Sequence, residues 1–157
     1  MQDFNSEQES ERLRVVASYE ALDTPPEDDF DHLTRLAADI FNVPIATITI
    51  VDKDRQWFKS SVGLQVTETE RCISFCTHTI QHATPFIINN ALEDSRFQDN
   101  PLVLGPPNIR FYAGIPLINP EGIALGSFCL IDSKPRTLTA EQINLLQSLA
   151  DHVMSLF

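Results

Sequence analysis

The stretch IATITIVDKDRQWFKSSV, residues 45–62, carries the strongest strand signal in the chain. Its first seven residues are β-branched apart from Ala46, which reads as a central strand. Asp52-Lys53-Asp54-Arg55 is a polar turn. Residues 56–62 then alternate, with Trp57, Lys59 and Ser61 on one face and Phe58, Ser60 and Val62 on the other. Two strands joined by so short a turn predict an antiparallel hairpin. A second hairpin follows the same logic: a strand over 111–118, the turn Asn119-Pro120-Glu121-Gly122, and a strand over 123–131. Residues 85–88 add a short strand.

Helices flank this β region. Ser6-Glu7-Gln8-Glu9 has a capping-box pattern, and Leu13, Val16, Ala17 and Ala21 give a thin apolar stripe, so a helix is predicted over 7–22. Thr24 suits an N-cap, Pro25 a first helical position and Glu27 the third, which starts a second helix. Phe30, Leu33, Ala37, Ile40 and Phe41 form its expected core stripe, ending before Pro44. Residues 65–71 read as polar loop. Ser74 caps an expected short helix over 75–82, with Ile73, Cys76 and Ile80 on one side. Residues 89–109 are long for a loop, but Phe97, Leu102, Val103 and Leu104 predict that it packs down. Thr139-Ala140-Glu141-Gln142 is a second capping box, opening a helix over 140–157 with Leu146, Leu149, Val153 and Leu156 spaced 3, 4, 3. That stripe meets no C-cap glycine, an ending expected of a shortened chain or of a helix that continues into another domain. Helices at both ends of an antiparallel sheet predict one α+β domain spanning 1–157, with its core over 24–138.

Charge excludes several function classes. The chain has 157 residues and a formal charge of −11. Residues 1–31 hold ten acids and two bases, a net of −8; the rest of the chain nets only −3. Without a basic stripe the chain repels phosphate backbone, which argues against nucleic-acid binding. Anionic membrane surfaces are poor partners for the same reason. No apolar run reaches transmembrane length, and the acidic N-terminus is not a secretory signal. Three cysteines at no zinc-like spacing predict free thiols in a reducing cytoplasm. Much of the acidity reads as helix chemistry, since residues 27–31 hold four acids where a helix dipole favours them. Glu7, Glu9 and Glu11 read as the solvated side of the first helix.

Seven segments taken in order resemble a known family. They are TPPE between two helices, PIATITIVD, RQWFKS with a following Gly-Leu, ETERCISFCTHTI, DSRFQDNPLV, IRFYAGIPL and GIALGSFCLIDSKPR. Over residues 11–155 they resemble the GAF domain, in the subgroup found beside bacterial diguanylate cyclases, phosphodiesterases and histidine kinases. The resemblance implies a three-layer α/β/α fold around an antiparallel sheet of five or six strands. It also implies a sensor in signal transduction: a small molecule of unknown identity is bound between the sheet, the short helix and the long loop. Its state would pass through the terminal helices to an attached output domain, with homodimerisation common. The pocket candidates are Trp57, Phe75, Cys76, His78, Asp94, Phe97, Arg110 and Tyr112. The dimer candidates are Leu146, Leu149, Val153 and Leu156, together with the first helix.

The family's specific ligands are weighed residue by residue. Cyclic-nucleotide-binding members share an Asn-Lys…Phe…Asp-Glu signature. Here no lysine follows Asn89-Asn90, and Phe97 precedes Gln98-Asp99-Asn100, so cyclic nucleotide is disfavoured. Bilin-binding members attach a tetrapyrrole through a cysteine with a histidine at or near the next position. Here His78 lies two residues after Cys76, and bilin is disfavoured too. A free cysteine mostly packs as a small hydrophobe, the expectation for Cys76 and for Cys129. His78 and His82 have a chelating spacing but no evident third ligand, so no metal site is predicted. Arg110 beside Phe111-Tyr112 suits an anionic or planar ligand, or else Arg96 or Arg110 pairs with Asp94 or Asp99 to pin the loop. Trp57 suits pocket wall or core. No catalytic motif appears. The alternatives are a thiol-dependent enzyme like the methionine sulfoxide reductases of this fold, using Cys72 or Cys76, and a ligand-free dimerisation module. Against the enzyme, residues 89–109 contain no cysteine, although the reductases carry theirs in that loop.

Overall fold

Ile45–Val51 forms β1, buried along its whole length, and Arg55–Val62 forms β2, paired antiparallel to it from Ala46↔Val62 to Val51↔Gln56. The computed structural model describes residues 6–157, except for the side chain of Cys72. Four further strands complete the sheet: β3 (Glu68–Glu70), β4 (Phe86–Ile88), β5 (Phe111–Ile118) and β6 (Ala124–Asp132). The order is β3-β2-β1-β6-β5-β4, every pairing antiparallel. β1 and β6 are central and have helices or loops on both faces, which is why both are apolar runs. β3 falls where a loop was expected. Its three residues, Glu-Thr-Glu, carry no apolar signal because they cover only the β2 edge.

The predicted alternation of β2 is broken by a bulge. Ile48 pairs with Ser60 but Thr49 with Phe58, leaving Lys59 over. Lys59 and Ser60 therefore both face the helices. Lys59 Nζ reaches Thr24 Oγ1 at 2.8 Å and the Pro25 carbonyl at 2.9 Å, and Ser60 Oγ donates to Asp31 Oδ1. This explains a second departure. The Thr24 hydroxyl accepts from Lys59 and donates to the Ala21 carbonyl, so it caps nothing. The helix begins at Asp28 with Glu27 as its N-cap.

Three helices cover one face: α1 (Ser6–Ser18), α2 (Asp28–Phe41) and α5 (Ala140–Ser155). α1 stops four residues before its predicted end, and Glu20 beyond it has a left-handed backbone, φ 52°. Phe30, Leu33, Ala37 and Phe41 of α2 pack with Phe111, Ile115 and Phe128 of the sheet and with Leu146, Ala150 and Val153 of α5. Ile40 is 47 % exposed, off the stripe assigned to it. The Thr139 capping box forms as predicted, with Thr139 Oγ1 accepting from Gln142 N and Gln142 Oε1 from Thr139 N. Leu146 and Val153 are fully enclosed by their own chain, and Leu149 and Leu156 pack on the same core. The 3, 4, 3 stripe is thus the inward face of α5, and those first two side chains have no surface for a partner. Among the described residues, no helix is long and apolar enough to cross a membrane.

The other face carries α3 (Cys76–Thr79), α4 (Pro101–Leu104) and two single 3₁₀ turns, Arg71–Ile73 and Ala91–Glu93. The short helix is one turn rather than the predicted 75–82. The long loop packs down through Phe97 and Val103, whereas Leu104 is 65 % exposed. Asparagine side chains hold it: Asn90 accepts from Leu92 N, while Asn100 accepts from Leu102 N and donates to the Ile73 carbonyl.

Candidate ligand-binding site

On this loop-covered face lies a cavity of about 310 Å³. Thr47 and Thr49 of β1, Gln56 and Phe58 of β2, Tyr112 of β5 and Ile131 of β6 form its floor. Residues 63–66 and Thr69 make one wall, and Leu102, Pro106, Pro107 and Ile109 the other. Phe75 and Cys76 close it from α3. The lining holds no Asp, Glu, Lys, Arg or His. Several of its polar groups are already engaged: Thr47 and Thr49 share a hydrogen bond of 2.9 Å, Gln56 Nε2 donates to Thr69 Oγ1, and the Tyr112 hydroxyl pairs with Thr79. The volume sits at the low end for small-molecule pockets, and the mostly apolar lining with a few convergent polar groups is the usual composition.

Local sequence explains the arrangement. Ser74 Oγ accepts from Thr77 N and donates to Gln56 Oε1, pinning the start of α3 to the sheet. Thr79 Oγ1 lies 2.7 Å from the Tyr112 hydroxyl. That pair fits because position 114 is glycine: a Cβ there would collide with the Tyr112 hydroxyl and crowd Thr79 Oγ1.

Of the eight predicted pocket residues, Phe75, Cys76 and Tyr112 line the cavity. Trp57 lies on the opposite face, packed with Val15, Val16, Ile50 and Leu125 beneath α1. Phe97 stands behind the lining, stacked on Phe75 at 4.1 Å. His78 meets Phe97 edge-on at 4.7 Å and lies parallel to Phe86, which His82 also stacks on, beyond the end of α3. Asp94 is bound by Arg96, whose guanidinium holds its carboxyl below the ordinary range and sits over Phe86. Arg110 donates to the Val103 and Ile109 carbonyls and braces the loop through backbone, while the acid pairing expected of Arg96 or Arg110 is made by Arg96 with Asp94. Residues 63–66 and 106–109 were missed. Gly63-Leu64 and Ile109 belong to family segments, and the Gly63-Leu64 pair and the Pro106-Pro107 break are the sole hints of a shaped wall.

A polar chain leaves the cavity for α1. Gln56 is held by Ser74, and Ser74 N and Thr77 Oγ1 both donate to the Arg71 carbonyl. Arg71 Nη1 donates to Glu9 Oε1 and to the Asp52 carbonyl. Glu9 in turn accepts from Arg12, which is 2 % exposed and donates to the Ala124 carbonyl of β6. Glu9 is therefore not the solvated acid expected. Partial burial pushes its carboxyl up, but the bonds from Arg12 and Arg71 outweigh this and bring it down to about 2. The stability this carboxylate supplies is complete above its ordinary value of 4.5 and is lost as pH falls toward 2. Unfolding titrations of wild type and Glu9→Gln are expected to stay a constant gap apart above pH 4.5 and to converge as pH falls toward 2.

Comparison with known proteins identifies the family and the fold. The sequence profile described as GAF domain matches residues 25–156. The chain belongs to the GAF family. A cyclic di-GMP phosphodiesterase of Pseudomonas aeruginosa is 41 % identical to this GAF domain over 150 residues, 95 % of the chain and 26 % of that relative. The domain thus spans about a quarter of the curated relative it matches. Among solved structures, the GAF domain of an Acinetobacter phosphoenolpyruvate-protein phosphotransferase superposes with TM-score 0.68 at 17 % identity, covering 97 % of this chain and 93 % of that one. A free methionine-R-sulfoxide reductase of Neisseria meningitidis reaches TM-score 0.66 at 13 % identity, covering 99 % and 93 %. These two likenesses concern the GAF fold alone.

Proposed function

We propose that this GAF domain is a non-catalytic sensory module. It holds an uncharged small molecule in the loop-face cavity and passes occupancy to α1 and an attached output module. One observation carries the reading: a cavity lined by no Asp, Glu, Lys, Arg or His, joined to a terminal helix by the Gln56–Ser74–Arg71–Glu9–Arg12 chain. A ligand that prefers one position of Gln56 or Ser74 biases where Arg71 holds Glu9, and so biases α1. The length of the curated relative supports an output module on the same polypeptide. A cytoplasmic, bacterial homodimer fits the same reading, with the terminal helices meeting through outward residues such as Leu145 rather than through Leu146 and Val153.

Indole, a neutral ring system with one donor, serves as the probe. Hydrogen exchange of the α1 amides is expected to slow on indole binding in the wild type. In Glu9→Gln the indole affinity should stay within about threefold, about 0.7 kcal/mol, because Glu9 is not in the lining, while the slowing is lost. Slowing that persists in Glu9→Gln would sink the proposed route.

A further inference from the structure

Cys76 and Cys129 lie 53 residues apart in sequence, yet their Sγ atoms are 3.4 Å apart. Cys76 opens α3 above the sheet, and Cys129 sits beneath it in β6. Both are buried free thiols, and Cys76 faces the cavity. The Tyr112 hydroxyl donates to Cys76 Sγ at 3.5 Å and lies 3.1 Å from Cys129 Sγ, and Ser127 Oγ is 2.8 Å from Cys129 Sγ. A structural thiol pair has no need of a route to solvent, but here one partner lines a cavity large enough to admit a small molecule.

We propose that Cys76 and Cys129 are a reversible dithiol–disulfide site, oxidised by a small hydroperoxide that enters through the cavity. Cys76 is the attacking sulfur because it alone of the two faces the cavity. Its electronic setting agrees. Burial alone would raise the Cys76 thiol, but hydrogen bonds from its neighbours, Cys129 first and Tyr112 among them, outweigh that and hold it below the ordinary thiol range. Burial raises Cys129, reinforced by its bond to Cys76 and by the Cys76 charge.

The chemistry balances in two steps. The Cys76 thiolate attacks one peroxide oxygen, an S–O bond forms and the O–O bond breaks. The departing alkoxide or hydroxide takes the proton that Cys76 gave up, leaving a sulfenic acid. Cys129 Sγ then attacks the Cys76 sulfur. The S–S bond forms, the S–O bond breaks, and the hydroxide leaves as water with the Cys129 proton. The two thiols lose two electrons and the peroxide gains them. The sulfurs must close from 3.4 Å to about 2.05 Å, which draws α3 toward β6. The cavity then loses a thiol from its lining and changes shape at its α3 side. The pair stands on its own geometry, whether or not the cavity also takes a ligand.

Peptide mapping of the whole chain after hydrogen peroxide tests this. Free thiols are alkylated and the protein is cut with chymotrypsin, which cleaves after Phe75 and separates Cys72 from Cys76. The expected product is a Cys76–Cys129 cross-linked peptide lacking two hydrogens, formed equally in Cys72→Ser and reversed by dithiothreitol. In Cys129→Ala the cross-link is lost and Cys76 is trapped as a dimedone adduct. If that variant does not fold, the wild-type map decides alone. Cys129 remaining alkylatable beside an oxidised Cys76 would overturn the proposal. So would a cross-link to Cys72, or two thiols that resist millimolar peroxide.

Discussion

Gly126→Ala is expected to unfold the domain. Gly126 pairs with Ile50 at the β1–β6 junction, the central pairing of the sheet. A methyl group there would occupy the space of the Thr49 carbonyl oxygen and press on the Ile50 Cα. Both obstacles are backbone, so no side-chain rotation relieves them. Either β1 separates from β6, which strands paired amides and carbonyls, or the methyl is not accommodated. The cost falls at the exceptional end for one substitution, about 4 kcal/mol or more, against a typical total stability of about 5–15 kcal/mol. Gly122→Ala is the control. Gly122 has φ +83° with open space around it, so alanine costs only the left-handed backbone, about 1–2 kcal/mol. Thermal unfolding measures both: Gly126→Ala aggregates or melts more than about 10 °C lower, whereas Gly122→Ala shifts by a few degrees.

The second large effect is expected at Phe97. Its ring stacks on Phe75, takes His78 on edge and lies under Arg96, all from a loop without a regular element of its own at that point. It is 1 % exposed. Phe97→Ala leaves a hole behind the cavity wall and costs about 3–5 kcal/mol, or a melting temperature lower by about 6–20 °C for a domain of this size. Phe75 loses its support, so indole affinity falls with stability. Leu104→Ala in the same loop, with its side chain mostly in solvent, is expected to change neither. Calorimetry on the three proteins separates a loop that merely connects from one that builds the site.

The parts of this molecule legible in its sequence are those decided locally or by burial alone. β1 was readable because an apolar, β-branched run buried on both faces has few other uses. The Thr139 box was readable because its partners are three residues apart. The site was less so, because its makers meet across the chain. The bulge at Lys59 depends on Thr24 and Pro25, over thirty residues away, and it flips Ser60 to the helix face. Trp57 carries no mark saying which face its strand parity will choose. Leu146 and Val153 show an apolar stripe, and periodicity cannot distinguish an inner core from an interface. Arg71 and Glu9 read as surface charges until the fold sets them together. Cys76 and Cys129 read as two unrelated thiols.

A cavity shaped for an uncharged molecule should discriminate between two ligands that differ chiefly in charge. Indole and indole-3-acetate share a ring system and differ by a carboxylate. Isothermal calorimetry at neutral pH is expected to give indole a Kd of about 0.1–1 mM, as befits so small a ligand. The carboxylate finds no cation in the lining, and burying it unpaired costs several kcal/mol, so its binding should be at least about a hundredfold weaker. Val66→Trp, at the exposed edge of the wall, should abolish indole binding without lowering stability. Equal or tighter binding of indole-3-acetate, or indole binding unaffected by Val66→Trp, would rule out a cavity selective for uncharged molecules.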